Sequence, residues 1–430
     1  MRVLYVDNSY GQMGGSLVSL LQLTRQLVAR GEMLPANERI EPYFYFLYPP
    51  LLLDEFRQVG PVFLEREDYA EFGTPIGVPK PLAAALARLP WTANRVLCEI
   101  LPLAVRVARH ARRIGADLIH CNCRLGSNEY AILGGMLAGI PVVGHERLIY
   151  KLTPLTKIFA KAVDRIIAVS RSVAENLEKQ GVSHPLLSVL YNGIDTSELA
   201  RYREGEKEPD APLRIGMVGR ITHSKGQHIL VEVARRLIAQ GMDVEFHFAG
   251  ESLPSETEYL EALVSTVQDA DMEARVVFHG NVKAIYEFIS SMDILVHCSL
   301  EPGALDRVVQ EAMALAKPTI ATRGGGVEEI CTNGHDALVV DPGRPDQLAA
   351  AITRLHNEPE TAAVLARNAL QTIETRFSLE RAARRVRTFY KEVALTHRRH
   401  PVLGTVTEFL ASSPFSVRRA KPAQIARKTN

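Results

Sequence analysis

The chain has 430 residues, more than one ordinary hydrophobic core holds, so its length predicts two domains. A total of 50 Lys and Arg against 49 Asp and Glu leaves a net charge of +1, which argues against the strong basic excess of dedicated nucleic-acid binders. The five cysteines form no zinc-ligand spacing, and no apolar run approaches the about 20 residues of a membrane span; we therefore expect a cytoplasmic protein with reduced thiols.

The N-terminal residues read as a strand, a glycine turn and a helix. Residues 2–8 alternate and are β-rich, Gly11 to Gly15 follow directly, and Ser16 is the predicted N-cap of a helix that ends near Gly31. This order is the opening unit of a doubly wound parallel domain, whose ligands bind at the carboxyl edge of the strands. The turn lacks the Gly-x-Gly-x-x-Gly fingerprint, so dinucleotide binding is not predicted. Because a strand begins at once, we expect no N-terminal signal segment.

A basic helix follows a second strand at residues 43–48. The helix is predicted over 90–114 with an interruption at Pro102, and four arginines crowd its second half: Arg106, Arg109, Arg112 and Arg113. A solvated basic face and peripheral contact with an anionic membrane are both open interpretations. The basic tail at 396–430 allows the same two interpretations, as a partly disordered segment or a membrane-surface one.

From residue 117 strands and helices alternate regularly, as expected for parallel βα units. The strands predicted before and after the charged linker are 118–121, 142–145, 165–169, 188–190, 213–218, 244–249, 276–279, 294–297, 318–321 and 337–340. The predicted fold class is therefore α/β with two Rossmann-like halves. Its domains are 1–198, to which helix 379–395 is assigned, and 213–378, joined by a linker at 199–212.

Two cations stand where a strand of the second half enters a loop and a helix. Arg220 follows the strand, and Lys225 precedes Gly226 at the helix start. Both can face one anion together with the helix N-terminus. A diphosphate suits this arrangement because Arg grips it bidentately and Lys adds a point charge, although two surface cations are the plainer interpretation.

Residues 299–330 organise the second half. They read as an acidic turn, a helix over 307–315, a strand over 318–321 and the glycine run Gly324, Gly325 and Gly326. Glu311 can accept hydrogen bonds from a ribose diol, and the glycines let backbone N–H groups approach a phosphate or sugar.

His145 ends a strand of the first half. It can bind a substrate hydroxyl or stabilise developing charge, with a purely structural histidine as the alternative, and His120 and Asn122 hold the same position one strand earlier. The Asp269-Ala-Asp271 sequence is interpreted as a surface turn. No His, Glu and Cys cluster has metal-ligand spacing, so neither a metal nor another cofactor is predicted.

With these residues assembled, the chain resembles the retaining nucleotide-sugar glycosyltransferases of family 4, which have the GT-B fold of two Rossmann-like domains facing across a cleft. The likeness rests on residues 215–237 (IGMVGRITHSKGQHILVEVARRL), 293–330 and 334–340 (GHDALVV), and more loosely on AGIPVVGHE and DRIIAVSRSVAENL in the first half. It implies transfer of a sugar from a nucleoside-diphosphate-sugar donor to a glycan or lipid-linked acceptor, in cell-surface polysaccharide or glycolipid synthesis, with retained configuration and without a metal.

The resemblance also implies roles for residues of the second half. Arg220 and Lys225 look like the diphosphate-binding pair, which stabilises charge on the leaving group. Glu311 looks like the second Glu of the Glu-x7-Glu motif, which holds the ribose, and Gly325 and Gly326 look like the loop beside the donor sugar.

In the first half the resemblance covers three predicted site residues. Gly14 and Gly15 are similar to the turn that approaches the donor phosphate and the acceptor. His145 looks like the histidine that contacts the donor sugar.

The chain departs from the family at the first Glu of the motif. That position is Gly303, and Gly303-Ala-Leu-Asp306 stands where the family has Glu-Pro-Phe-Gly. Either Glu301, the nearest acid upstream, moves into place as a catalytic carboxylate, or the contact is lost. Asp306 is expected to N-cap the following helix.

Two other functions remain open on the sequence. A nucleotide-sugar epimerase would share the fold and need no acceptor. A non-catalytic relative acting as a binding or scaffold protein would explain the missing first Glu.

Overall fold

The computed structural model describes residues 1–8, 14–67, 78, 81–82, 86–182, 187–203 and 211–397. The beginning of the predicted glycine turn, half of the predicted linker (residues 204–210) and the basic tail from residue 398 lie outside these residues. No helix among the described residues is long and apolar enough to cross a bilayer.

The described chain forms two parallel sheets flanked by helices. The first has seven strands in the order β3-β2-β1-β4-β5-β6-β7, and the second has six in the order β10-β9-β8-β11-β12-β13. In each sheet the strand order reverses beside the first strand, between β1 and β4 or between β8 and β11. Ligands of doubly wound folds bind at this switch point, beyond the carboxyl ends of the strands. The predicted α/β class with two Rossmann-like halves is confirmed.

The strands match the sequence predictions to within a few residues. Their bounds are β1 Arg2–Asp7, β2 Glu41–Phe46, β3 Val62–Leu64, β4 Leu118–Cys121, β5 Val142–Glu146, β6 Arg165–Ala168, β7 Leu187–Val189, β8 Leu213–Val218, β9 Val244–Ala249, β10 Val276–Phe278, β11 Ile294–His297, β12 Thr319–Thr322 and β13 Leu338–Val340. Only β3 was not predicted, because three residues are too few to show a period.

The α-helices connect the strands and cover both faces of each sheet. Their bounds are α1 Gly15–Gly31, α2 Leu53–Val59, α3 Trp91–Arg95, α4 Leu101–Ile114, α5 Glu129–Ala138, α6 Pro154–Ala160, α7 Arg171–Lys179, α8 Thr196–Leu199, α9 Gln227–Ala239, α10 Thr257–Gln268, α11 Ile285–Ser290, α12 Arg307–Ala314, α13 Val327–Ile330, α14 Pro345–Asn357, α15 Pro359–Arg376 and α16 Leu379–Thr396.

The first helix begins two residues earlier than its sequence suggests. Gly14, with extended φ and ψ of −107° and 147°, is the N-cap, and its carbonyl accepts from the N–H of Leu17 at 3.0 Å. The prediction that Ser16 caps the helix is therefore wrong. A glycine can hold this position because the cap only needs a free carbonyl and a non-helical backbone.

The predicted interruption of the basic helix at Pro102 is confirmed. A π-helical turn over Val96–Ile100 separates α3 from α4, and Pro102 lies in the first turn of α4. Proline cannot donate to the helical ladder, so the hydrogen-bond pattern shifts just before it.

The chain returns to the first sheet at its C-terminal helix. Phe389, Tyr390 and Val393 of α16 are buried with Tyr5 of β1 and Leu17 of α1 in one apolar cluster. This packing places α16 against the first sheet.

Candidate functional site

The two predicted cations lie in different environments at the edge of the second sheet. Arg220 follows β8 and is exposed, and its side chain has no hydrogen-bond or ion-pair partner among the described residues. Lys225 is partly buried; its Nζ donates to Ser299 Oγ at 3.2 Å and lies 3.6 Å from Asp306 Oδ1. The Lys225 side chain is thus held by two protein partners, whereas no described residue holds the Arg220 side chain.

Lys225 belongs to a polar cluster at the carboxyl end of β11. His297, the last residue of that strand, has its Nε2 3.0 Å from Ser299 Oγ and 3.2 Å from Asp306 Oδ1. Burial alone would raise the pKa of Asp306, but His297 and Lys225 outweigh it and lower that pKa to about 2. An ionised carboxylate only accepts, so His297 Nε2 carries the proton between them.

Asp306 does not cap α12 with its side chain. It occupies the N-cap position, yet the carboxylate makes no capping hydrogen bond. The sequence-based expectation is wrong because Lys225 and His297 attract the carboxylate away from the helix. Neither His297 nor Ser299 was proposed from the sequence, although both follow the strand-end pattern that identified His145.

Glu311 is buried on α12 and is held by Arg307, one helical turn earlier. The two form an ion pair of 2.7 Å between Arg307 Nε and Glu311 Oε1, and Glu311 is 8% exposed. Arg307 also donates to Ser19 Oγ at 3.0 Å and to Gln22 Oε1 at 2.9 Å, both on α1. Sequence analysis overlooked Arg307, although its spacing of four residues from Glu311 is that of a helical ion pair.

The same arginine approaches the glycine turn of the first unit. A Cβ added at Gly15 would lie 3.5 Å from Arg307 Cδ. Gly15 therefore lies against the arginine that holds Glu311, whereas a Cβ at Gly14 would lie 3.7 Å from Ser16 Oγ of its own helix. The two carboxyl edges meet there.

The glycine run packs on the turn before α12. Gly325 has a φ of 56°, and a Cβ on it would collide with the carbonyl of Gly303. Gly326 has no room for a Cβ beside Leu305, and its N–H donates to the Gly303 carbonyl at 2.9 Å. These glycines fix the turn at residues 303–305 through close backbone contact.

His145 is 3% exposed near the end of β5. Burial, together with Arg147 and His120, holds its pKa well below the ordinary value, so the ring is neutral. Arg147 Nη2 lies 3.3 Å from His145 Nδ1, and His120 Nε2 lies 3.2 Å from the same atom. Arginine can only donate, so Nδ1 accepts and the proton is on Nε2. That Nε2 is buried and has no partner among the described residues.

A wider network supports His145. Sequence analysis named His120 and Asn122, which belong to it, but not their contacts with Arg147 and Tyr390. Burial, with a contribution from Arg147, lowers the pKa of His120 to about 3, and the Tyr390 hydroxyl lies 2.7 Å from His120 Nδ1. Arg147 Nε donates to Asn122 Oδ1 at 2.8 Å. The network thus joins β4, β5 and the C-terminal helix.

Glu301 lies outside both clusters. It is exposed and has no ion pair or hydrogen bond with any residue that the structure describes. Asp269 and Asp271 are exposed at the turn after α10. Within the described ranges no three His, Cys, Asp or Glu side chains come together as a metal site.

The basic face of α4 is largely bound to the protein itself. Arg106 pairs with Glu65, and Arg112 Nη2 donates to the Leu137 carbonyl at 2.8 Å. These arginines hold neighbouring segments, which favours the structural interpretation of the basic helix.

Two family models match adjacent parts of the chain. Glycosyltransferase Family 4 matches residues 62–198, and Glycosyl transferases group 1 matches residues 200–372. The first match covers most strands of the first sheet, and the second covers the whole second sheet and its polar clusters.

Relatives and solved structures extend the likeness. An alpha-D-kanosaminyltransferase of Streptomyces kanamyceticus is 30% identical over 49% of this chain, a stretch that spans only about half (53%) of that relative. A lipopolysaccharide core biosynthesis mannosyltransferase, LpcC of Rhizobium leguminosarum bv. viciae, is 26% identical over 56% of this chain and 68% of its own length. The structure of Anabaena HepE in complex with UDP superposes with a TM-score of 0.72 at 20% identity, over 91% of this chain and 100% of HepE. The likeness to HepE shows the fold, which is GT-B.

Proposed function

The chain belongs to the glycosyltransferases, in the family that the group 1 and family 4 models describe, and we propose that it transfers a sugar from a nucleoside-diphosphate donor to a glycan or lipid-linked acceptor. One observation carries this proposal. Lys225 and the buried Glu311 lie at the carboxyl edge of the second sheet, and Arg307 connects that edge to the first unit. The Lys225 cation suits the diphosphate of a nucleoside diphosphate, and the Glu311 carboxylate suits its ribose hydroxyls.

The donor binds through its nucleotide in this proposal. Glu311 accepts hydrogen bonds from the ribose hydroxyls, while Lys225 and the exposed Arg220 neutralise the diphosphate. HepE was solved with UDP, so uridine diphosphate conjugates are the first donors to test, followed by GDP and ADP conjugates.

Transfer proceeds with retained configuration and without a metal. The acceptor hydroxyl attacks from the face that the diphosphate leaves: its oxygen bonds to the anomeric carbon as the bond from that carbon to the diphosphate breaks, and its proton passes to the departing diphosphate. The cations stabilise the negative charge that grows on this leaving group. His145 donates from Nε2 to a hydroxyl of the donor sugar, because its neutral ring has that proton and no protein partner. Gly14 and Gly15 leave space for the acceptor.

The acceptor belongs to cell-surface polysaccharide or glycolipid synthesis. This assignment is supported by relatives named for lipopolysaccharide core and capsular polysaccharide biosynthesis.

Peripheral contact with a membrane is a further part of this proposal. Trp91 is 69% exposed, and Leu97 and Leu101 are about two-fifths exposed on the same helical segment. Exposed aromatic and aliphatic side chains insert at the lipid interface. Co-sedimentation with anionic vesicles is expected to fall in Trp91→Ser; equal sedimentation of both proteins would contradict the contact.

The experiment measures release of the nucleoside diphosphate from UDP-, GDP- and ADP-sugars, with and without glycan and lipid-linked acceptors. One donor class is expected to react, acceptor is expected to accelerate release, and NMR of the product is expected to show the donor's anomeric configuration. Lys225→Ala should abolish release, while Arg235→Ala, in an exposed pair with Glu232, should not affect it. Conversion of the donor sugar without acceptor would indicate an epimerase. Absence of release together with absence of binding would contradict the proposal.

A further inference from the structure

The chain passes between the two units twice, and the two crossings touch each other. It leaves the first unit after β7 and returns to it before α16. The Ile194 N–H donates to the Phe377 carbonyl, and the Leu379 N–H donates to the Ile194 carbonyl, both at 2.9 Å. A Cβ at Gly193 would lie 2.4 Å from Leu379 Cα. A group bound beside this backbone contact therefore meets both crossings.

An open pocket, here called the crossing pocket, lies beside this contact. Residues 190–192 line it from the first crossing. Three of its nine described lining residues are arginines, Arg376, Arg381 and Arg385, and none of the nine is acidic. Arg376 ends α15, and the other two lie four positions apart on α16, so they share one face of that helix. The pocket thus gathers three positive charges from two helices.

None of these arginines pairs with a carboxylate in the part of the chain that the structure describes. Arg376 Nη2 donates to the Glu329 carbonyl at 2.8 Å, and Arg385 Nη2 donates to the Val189 carbonyl at 3.3 Å. The Arg381 side chain is exposed and has no partner among the described residues. Because a guanidinium has five N–H donors, most of the donors of all three remain available.

The neighbouring acids are bound elsewhere. Glu380, at the start of α16, pairs with Arg30 at 3.0 Å and with Arg384 at 3.2 Å. The Glu329 carboxylate accepts from the Tyr191 hydroxyl at 2.9 Å and from two backbone N–H groups at the start of α7. The three charges of the crossing pocket therefore repel one another without a counter-charge, and an anion would relieve that repulsion.

Ordinary solvated arginines do not account for this arrangement. Arg376 and Arg385 are oriented by their bonds to backbone carbonyls, whereas Arg384 of the same helix has a carboxylate partner in Glu380. Ser378 is the N-cap of α16, but its hydroxyl makes no capping hydrogen bond. The partial positive charge of the helix N-terminus therefore adds to that of the arginines.

The chemistry of the pocket favours a soluble phosphate. Guanidinium groups bind phosphate oxygens bidentately, and a phosphate monoester carries nearly two negative charges at pH 7. None of the large apolar side chains of residues 190–192 and 376–385, all of which the structure describes, is exposed. Such side chains would be needed for insertion at a lipid interface. The ligand is therefore not expected to be a lipid head group.

We propose that the crossing pocket binds inorganic phosphate or the phosphoryl group of a soluble phosphate monoester through Arg376, Arg381 and Arg385, and that the bound anion joins the two crossings. The pocket lies apart from Arg220 and Lys225, so this inference does not rest on the proposed function.

The crossing pocket also adjoins the network around His145. Asn192, which lines the pocket, accepts a hydrogen bond from Arg147 Nη1, and Arg147 Nη2 lies 3.3 Å from His145 Nδ1. An anion that contacts the first crossing is therefore expected to shift the ¹⁵N signals of His145.

Calorimetric titration of inorganic phosphate and glucose 6-phosphate tests the site. Arg381→Gln is expected to bind both about tenfold more weakly than the wild type, and Arg381→Lys is expected to lose less, because it keeps the charge but not the fork. Arg381 has no protein partner to lose, so both variants should fold. Arg384→Gln, on the same helix but outside the pocket, is the control and should bind like the wild type. Equal affinity of Arg381→Gln and the wild type would overturn the proposal.

Two further arms separate this site from other sources of binding. Lys225→Ala is expected to bind phosphate within about threefold of the wild type. Loss of binding in Lys225→Ala but not in Arg381→Gln would place the phosphate at the proposed donor site and overturn this inference alone. Vesicles with and without phosphatidic acid should sediment equal amounts of wild type and Arg381→Gln. Absence of binding to both soluble probes would likewise overturn the inference and leave the proposed function standing.

Discussion

Arg307 holds the Glu311 carboxylate at 2.7 Å within α12, and its terminal nitrogens reach Ser19 and Gln22 on α1. The carboxylate proposed to bind ribose is therefore oriented by a side chain that also contacts the first unit. If Glu311 binds the ribose as proposed, nucleotide binding and the contact between the two units are linked through this one arginine.

Removing Arg307 is expected to weaken nucleotide binding. Arg307→Ala leaves Glu311 without its charged partner, and hydrogen bonds to charged groups contribute about 1.5–3 kcal/mol, so the Kd for the nucleoside diphosphate should rise about tenfold or more. Arg307→Lys should retain part of the affinity, because the charge remains while the fork geometry is lost. Calorimetry checks both, with Arg235→Ala as control. Unchanged or tighter binding in Arg307→Ala would show that Arg307 competes with the ligand.

The protonation of His145 makes a spectroscopic prediction. Because Arg147 can only donate to Nδ1, the neutral ring carries its proton on Nε2. The ¹⁵N shifts of His145, assigned with a His145→Asn variant, are expected to match the Nε2–H tautomer. Its lowered pKa further predicts no titration of this ring near its ordinary value of 6.5. A proton on Nδ1, or a titration near 6.5, would contradict the assignment.

The buried carboxyl group of Glu146 should make the stability of the protein depend on pH. Burial, partly offset by hydrogen bonds from Leu125 N–H and the Tyr150 hydroxyl, raises its pKa from 4.5 to about 8. Between these values the unfolded chain releases a proton that the folded chain keeps, so this group destabilises the fold increasingly as pH rises. Glu146→Gln imitates the protonated acid. The free energy of unfolding of this variant, relative to that of the wild type, should therefore rise by up to about 1.4 kcal/mol per pH unit in that window.

Glu129 provides the matched control for that measurement. It is as buried as Glu146, but its carboxylate pairs with Arg95 at 2.6 Å. Glu129→Gln breaks a buried ion pair and should therefore lower the free energy of unfolding. Denaturant titrations at pH 5, 7 and 8.5 decide the point. If the free energy of unfolding of Glu146→Gln instead falls relative to that of the wild type as pH rises, the raised pKa of Glu146 is contradicted.

Glu329 connects the two units at a second place. Its carboxylate accepts from the backbone N–H groups of Arg171 at 2.8 Å and Ser172 at 2.9 Å, at the start of α7. A negative charge at a helix N-terminus contributes about 0.3–1 kcal/mol, and more when partly buried. Glu329→Gln should therefore lower the unfolding midpoint, whereas Glu328→Gln, beside the exposed Arg323, should not. Equal unfolding midpoints for the two variants would contradict a stabilising role of the Glu329 charge at the start of α7.

The sheets could be predicted from sequence because buried parallel strands read as short apolar runs. Sequence analysis selected Lys225 and His145 because they lie near strand or helix ends, and Glu311 because it lies on a helix beside a glycine-rich turn; the roles of all three stay predictions. The partners of these residues could not be predicted. Arg307 meets Ser19 288 positions away, and Lys225 meets Ser299 74 positions away. No local pattern encodes such distances.

The error at Asp306 has the same origin. Its position before a helix predicts a cap, and local preference would favour that role. Lys225 and His297, brought in by other strands, offer the carboxylate charged partners that a backbone N–H does not match. The tertiary contact prevailed over the local one.

The central claim is that the carboxyl edge of the second sheet binds a nucleoside diphosphate. Calorimetric titration of UDP, GDP and ADP onto the wild type, Arg220→Ala, Lys225→Ala, Glu311→Ala and the control Arg235→Ala tests it most directly. We expect one nucleotide to bind, and each of the three site variants to weaken that binding by about 1.5–3 kcal/mol while the control leaves it intact. Binding that ignores all three residues, or no binding by the wild type, would contradict the account.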